Sequence, residues 1–246
     1  MNQESEIQTV YEDENILAIN KPSGVLVHAA ASGVGGKTVA DWVLAKYPGM
    51  KNVGEPMRSP RGDIVPRPGI VHRLDKDTSG ILVLAKNQET FELLKKLFTE
   101  RRIEKEYRAI VHGALKEKEG VIDLPIARSA KDFRRKSVHP RARGRKREAI
   151  TRYRVLVGGK DFSYLSVFPK TGRTHQIRVH LQALQHPIVC DPIYAGKRLC
   201  PPEVGRLGLH AYALTIPLPG GVIRLEAPIP DAFVRFSKAH ISKLSQ

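Results

Sequence analysis

This sequence predicts an α+β fold: a mainly antiparallel mixed sheet with flanking helices and long loops. Three observations lead there. Short segments in which apolar residues alternate with polar ones outnumber stretches with helical periodicity, which suits a sheet with one face covered. Strands and helices do not alternate regularly, so a doubly wound parallel sheet is disfavoured. No internal repeat or low-complexity linker divides the 246 residues, so a single domain over 1–246 is the expectation.

In chain order, residues 7–27 read as two short strands around 12–15, followed by a turn at Lys21-Pro22-Ser23-Gly24. Residues 38–47 read as a helix with Thr38 at its N-cap. GVGG at 33–36 is a flexible loop without the strand–turn–helix setting of a phosphate loop, and proline and glycine make 48–69 a loop. GILVLAK at 80–86 is a continuous apolar run, consistent with a buried strand. Residues 90–101 are helical, with Phe91, Leu94, Leu97 and Phe98 on one face. Strands are expected at 107–112, 121–126, 150–157 and 163–168. A helix over 175–185 takes Thr174 as its candidate cap. A hairpin, 209–218 with 222–227, turns at Pro219-Gly220-Gly221, and a helix over 231–244 follows.

The formal net charge is +16. Such an imbalance says little about fold and much about partners, and a polyanion is the natural one. The charge is clustered, which argues against a basic surface that merely resists aggregation. Between 128 and 154, arginine and lysine stand at twelve positions against only Asp132 and Glu148. Arginine dominates, and its planar fork grips phosphate bidentately and stacks on bases. Arg143, Arg145, Lys146 and Arg147 are the candidate phosphate contacts; a solvated, self-repelling loop is the plainer alternative. No apolar run is long enough to span a bilayer, and MNQESEIQTV has no signal-peptide pattern. Cys190 and Cys200 are too few for a disulfide framework, and a reducing cytoplasm is the simplest setting.

No Walker A motif, dinucleotide fingerprint or zinc-like spacing is present, so neither cofactor nor metal is signalled. What remains is acid, base or nucleophile work by ordinary side chains. GIVHRLDKDTSGILVLAK at 69–86 sets His72, Arg73, Asp75, Asp77, Thr78 and Ser79 directly before the buried strand. Polar groups there are costly unless satisfied or used, although the same residue types also form turns. In PKTGRTHQIRVHL at 169–181, an inward Arg178 needs an anion, and Asp75 and Asp77 are candidates. His175 and His180 are poorly spaced for shared metal ligation and read as ordinary hydrogen-bonded histidines.

Together these segments resemble the RluA-type family of RNA pseudouridine synthases. HRLDKDTSG at 72–80 resembles the family's catalytic motif and EKEYRA at 104–109 the segment carrying its active-site tyrosine. GRTHQIRVHL at 172–181 resembles the motif supplying an apolar residue and an arginine. KPSG at 21–24 and LHA at 209–211 match further motifs, and all five stand in family order. The resemblance implies the pseudouridine synthase catalytic fold, acting on tRNA or rRNA without cofactor or metal, as a cytoplasmic monomer. It implies Asp75 as nucleophile or base, Tyr107 stacking on the target base, and Arg178 keeping the carboxylate ionised and oriented. Arg73 would hold the flipped nucleotide, and Ile177 would wall the pocket. Many members carry an N-terminal S4 RNA-binding domain, which is not expected here. Cys190 and Ala195, in HPIVCDPIYAG at 186–196, stand where the family commonly has glycine; a positive φ there would bring strain. Two rivals remain: a non-catalytic RNA binder, and a metal-dependent nuclease using Asp75 and Asp77.

Overall fold

The computed structural model describes residues 6–29, 37–58, 62, 64–132 and 134–240. The GVGG segment lies outside them. Two compact units are present: Met1–Glu104 with Ala213–Pro228, and Lys105–Tyr212 with Ile229–Gln246.

In the first unit, β1 (Gln8–Glu12) and β2 (Ile16–Lys21) pair antiparallel. Asp13 closes their turn, its Oδ1 accepting the N–H groups of Asn15 and Ile16 at 2.8 and 2.6 Å. Helix α1 (Val39–Lys46) begins as expected at Thr38. Thr38 and Asp41 form a reciprocal capping box, which satisfies amides that the first helical turn leaves open. The expected loop 48–69 holds a 3-10 turn at Pro48–Asn52 and a small ribbon of β3 (Met57–Arg58) and β4 (Ile64–Val65). All seven residues of β5 (Ser79–Ala85) are buried, which is why the run reads as uninterrupted apolar sequence. It pairs antiparallel with β2, Lys21 opposite Gly80. Helix α2 (Gln88–Thr99) buries Phe91, Leu94 and Leu97. It starts two residues before the expected 90 because Asn87 caps it by accepting the Thr90 N–H.

Gly69 is a position that only glycine fits. Its φ is +64°, and a Cβ there would lie 2.2 Å from the Ala85 carbonyl oxygen. The close approach lets Ala85 N–H donate to Gly69 O at 2.9 Å, so the segment leading to Asp75 starts hard against β5.

In the second unit, β6 (Glu104–His112), β7 (Glu119–Asp123), β11 (Ile150–Gly158) and β12 (Phe162–Pro169) form an antiparallel ladder in the order β6–β12–β11–β7. The three intervening strands, β8 (Ile126–Arg128), β9 (Lys136–Ser137) and β10 (Arg143–Arg147), make a separate antiparallel sheet with β8 in the middle. The strand expected over 121–126 is thus two, broken at Leu124-Pro125, where proline has no N–H for a ladder. Helix α3 (Gln176–Ala183) is shorter than expected, and its N-cap is His175 in the left-handed region (φ 58°) rather than Thr174.

Strand β13 (Leu209–Leu218) and β14 (Gly221–Glu226) form the expected hairpin. Helix α4 (Asp231–His240) packs Phe233 and Phe236 with Ile110, Val189 and Val204. The remainder of the helix expected to 244 lies outside the described residues.

The cysteines require a correction. Cys190 and Cys200 are joined in a disulfide, their Cα atoms 4.6 Å apart. Successive turns, Ala195 N–H to Asp191 O and Arg198 N–H to Ala195 O, fold the chain back on itself, which a spacing of ten residues does not reveal. Cys190 also has φ 57°, the left-handed conformation for which glycine is the usual choice. Ala195 is not among the described residues with positive φ. One such non-glycine residue costs about 1–2 kcal/mol.

Candidate active site

Asp75 and Arg73 lie on the first unit. Asp75 is half-buried and Arg73 exposed. Between them Leu74 is buried (5% exposed) and anchors the turn in the core. The backbone beside Asp75 is clamped by the KPSG segment. Lys21 is fully buried, and its Nζ donates to three carbonyls, Pro22 O (2.8 Å), Val25 O (2.8 Å) and Lys76 O (2.9 Å). Gly24 N–H donates to the same Lys76 carbonyl at 2.9 Å, and Ser23 Oγ donates to Asp77 O at 2.7 Å. Thr78 N–H closes the turn on Asp75 O. These polar residues do form a turn, and the lysine of a distant motif secures it.

His72 belongs to the same scaffold. Its Nε2 accepts the Val83 N–H of β5 at 3.0 Å, which makes it the bare nitrogen of a neutral ring, and the ring stacks on Phe98 with centroids 4.5 Å apart. The segment carrying Asp75 is thus tied to β5 at Gly69 and at His72.

Tyr107, Ile177 and Arg178 lie on the second unit. Tyr107, on β6, packs against the apolar cluster that includes Ile177 and Leu181 of α3. Ile177 is 6% exposed and Arg178 2%. Polar bonds to β11 set the position of α3. Gln176 Nε2 donates to Ile150 O and Thr151 Oγ1, both at 3.0 Å, and its Oε1 accepts from Thr171 Oγ1 (2.7 Å) and Arg173 N–H (3.0 Å). All four hydrogen-bonding positions of that amide are filled. One turn on, His180 bridges Thr151 Oγ1 and Leu124 O, each at 2.9 Å. Burial, the largest cause, pushes its pKa down and favours the neutral ring. The histidines are hydrogen-bonded as expected, His175 through Nδ1 to Tyr194 OH at 3.0 Å.

Arg178 grips an acid that the sequence reading did not consider. Its Nε donates to Asp191 Oδ2 at 2.7 Å and its Nη2 to Asp191 Oδ1 at 2.8 Å, with side chains 3% and 0% exposed. Tyr194 lines the guanidinium, Cζ 5.2 Å from the ring centroid. The Tyr194 hydroxyl accepts Lys136 N–H at 2.8 Å, and burial drives its pKa up to about 12. The signal available was that a buried arginine needs an acid and that DPIY follows within one loop. Nothing in the spacing points to Asp191.

The proposed phosphate contacts lie on β10, where every residue is exposed. This run is a strand held by β8, with Arg143 opposite Arg128, Arg147 opposite Ile126 and a register shift between them. Among the described residues no group of three or more His, Cys, Asp or Glu is placed to hold a metal ion. No described helix is long and apolar enough to cross a membrane.

Residues 15–183 match a family model described as RNA pseudouridylate synthase. The chain is 35% identical over 246 residues to the ribosomal large subunit pseudouridine synthase D of Haemophilus influenzae, spanning 95% of this chain and 70% of that protein. It is 37% identical over 245 residues to the synthase of the same name from Pseudomonas aeruginosa, spanning 94% and 71%. Among solved structures, human RNA Pseudouridylate Synthase Domain Containing 4 superposes with a TM-score of 0.72 at 27% identity, over 94% of this chain and 92% of that one.

Proposed function

This chain belongs to the RluA-type family of RNA pseudouridine synthases, and from that premise we propose that Asp75 is its catalytic group, with Tyr107, Ile177 and Arg178 completing the site and Arg73 binding the nucleotide. The reaction isomerises uridine in RNA. The N1–C1′ bond breaks, the uracil turns, and a C5–C1′ bond forms. C5 loses a proton and N1 gains one, so no electrons are exchanged and ordinary side chains suffice.

In this proposal Asp75 acts as nucleophile or base from a turn whose backbone is held while its carboxylate stays reachable. Arg178 is the fixed cation that such a reaction needs to keep a carboxylate ionised. Tyr107 stacks on the target base, and Ile177 gives the detached uracil an apolar wall against escape. Arg73 helps hold the nucleotide out of its stack, a step costing a few kcal/mol. The exposed strand β10 supplies phosphate contacts through Arg143, Arg145, Lys146 and Arg147, which bring affinity rather than sequence choice. The observation that supports the reading most directly is the clamp of Lys21, Ser23 and Gly24 on the backbone carbonyls of Lys76 and Asp77. It holds the turn while leaving Asp75 partly accessible.

We assign the substrate to ribosomal RNA, following the names of the bacterial relatives, with tRNA as the alternative class. The matched motifs are spread over both compact units, so the units serve as one catalytic domain in this reading, acting as a monomer in the cytoplasm. The Cys190–Cys200 bond pulls the other way, because a reducing compartment keeps such pairs as thiols. A thiol count on protein isolated under alkylating conditions decides that point. For the function itself, large-subunit ribosomal RNA is incubated with the protein and digested to nucleosides. Pseudouridine replacing uridine, with RNA length and mass unchanged, is expected. Shortened RNA, or no pseudouridine in either rRNA or tRNA, would overturn the proposal.

A further inference from the structure

The Asp191 carboxylate accepts four hydrogen bonds. Besides the two bonds from Arg178, its Oδ1 accepts the N–H groups of Ile193 at 2.9 Å and Tyr194 at 3.0 Å. Three of these bonds fall on Oδ1 and one on Oδ2, so the carboxylate is held in direction as well as in charge. It takes one N–H from Arg178 Nε and one from Nη2, which turns the guanidinium's Nη1 edge away from Asp191. Tyr194 covers the guanidinium as a third constraint.

The support beneath Asp191 is equally firm. Val189 N–H donates to Ile110 O at 2.9 Å, and Ile188 bridges to Val111. Both partners belong to β6, the strand that carries Tyr107. The next residue, Cys190, bends the chain through its left-handed φ and is tied to Cys200. Stability alone is a poor explanation for such a pair, since desolvation offsets much of what a buried ion pair gains and apolar replacements are often neutral or better. What the arrangement provides is one fixed guanidinium orientation.

We infer that Asp191 is a positioning residue for the isomerisation: it acts through Arg178 by fixing the guanidinium's orientation, and does not itself touch the substrate. The inference rests on the reading of Arg178 as the site's cation. A misplacement of about 1 Å in a catalytic group can cost about 10²-fold in rate, so Asp191 should matter to turnover and little to RNA capture.

The test is a double-mutant cycle of Asp191→Asn and Arg178→Ala, reading kcat, KM for RNA and thermal midpoint. Asp191→Asn is expected to lower kcat by about 10²-fold with KM little changed. In the Arg178→Ala background it should cost nothing further, because its only route to the reaction is gone. Equal losses in both backgrounds, or an unchanged kcat, would overturn the inference while leaving Arg178 in place. An Arg178→Ala protein with wild-type kcat would overturn the reading of Arg178 and this inference together. If Asp191→Asn does not fold, Asp191→Glu keeps the charge but displaces it by one methylene. A folded Asp191→Glu protein with a reduced kcat and wild-type KM supports the inference, and wild-type kcat overturns it.

Discussion

Helix α3 and strand β10 both present arginine, and the structure treats the residue in opposite ways. Arg178 is buried, gripped bidentately by Asp191 and lined by Tyr194. On β10, Arg143, Arg145 and Arg147 are exposed. The first is a cation with a single orientation; the second group is a set of charges with long stems in high dielectric. A fixed cation can act on a transition state, because its direction is set before the substrate arrives. Mobile surface charges act on encounter and affinity, with strength set by salt. A high arginine content therefore says nothing about role until burial and partners are known.

The largest effect expected from this contrast is at Arg178. Arg178→Lys keeps the charge but loses the two-pronged fit to Asp191. Turnover should fall by about 10²-fold while RNA affinity is nearly kept. Steady-state kinetics beside a filter-binding isotherm would check it, and an equally active lysine variant would reduce Arg178 to a mere charge.

Neutralising Arg143, Arg145, Lys146 and Arg147 together should do the reverse: weaker RNA binding, with kcat at saturating RNA and the melting temperature close to wild type. If all four meet phosphates of a single strand, the log–log salt slope of binding falls by about 0.7 per lost contact. An unchanged slope would make β10 a solvated strand with no role in RNA capture.

A smaller effect concerns pH. Burial is the main cause lowering the pKa values of His28, His112 and His180 below the ordinary imidazole value of 6.5. Through the interval below 6.5 and above their folded values, the unfolded chain binds more protons than the folded one. Stability therefore falls as pH drops through that interval and is fully present above it. Melting curves from pH 7.5 to 5.0 should show a declining midpoint. His180→Asn should reduce that decline if its buried bonds to Thr151 and Leu124 are its source, and an identical pH slope would remove His180 from the account.

How much of this was legible in the sequence depended on the range of the interaction. Local chemistry read well: the N-cap at Thr38, the buried run of β5, and the β13–β14 hairpin all follow from neighbours a few residues apart. A solvated loop stayed open as a reading of the basic run because its partner β8 is reached only in three dimensions. The start of α3 was misplaced because Gln176 bonds to Thr171 and Arg173 and so closes the preceding turn, leaving His175 at the cap. The disulfide and Asp191 were missed for one reason. Both depend on the fold-back after Val189, and neither the Cys190–Cys200 spacing nor the separation of thirteen positions from Arg178 to Asp191 specifies contact. The proposed roles of Asp75, Tyr107 and Arg178 rest on a set of motifs in order; charge, periodicity and spacing alone leave turn, ion pair and metal readings open.

The most direct measurement of the central claim is tritium release from RNA labelled at C5 of uridine, comparing wild type with Asp75→Asn. Forming the C5–C1′ bond expels the C5 hydrogen, so release counts turnovers. Wild type should release label while the RNA keeps its length. The Asp75→Asn protein, folded and binding RNA, should release essentially none, because an amide supplies neither the nucleophile nor the base. Substantial release by the folded asparagine variant would contradict the account and move the chemistry to another group.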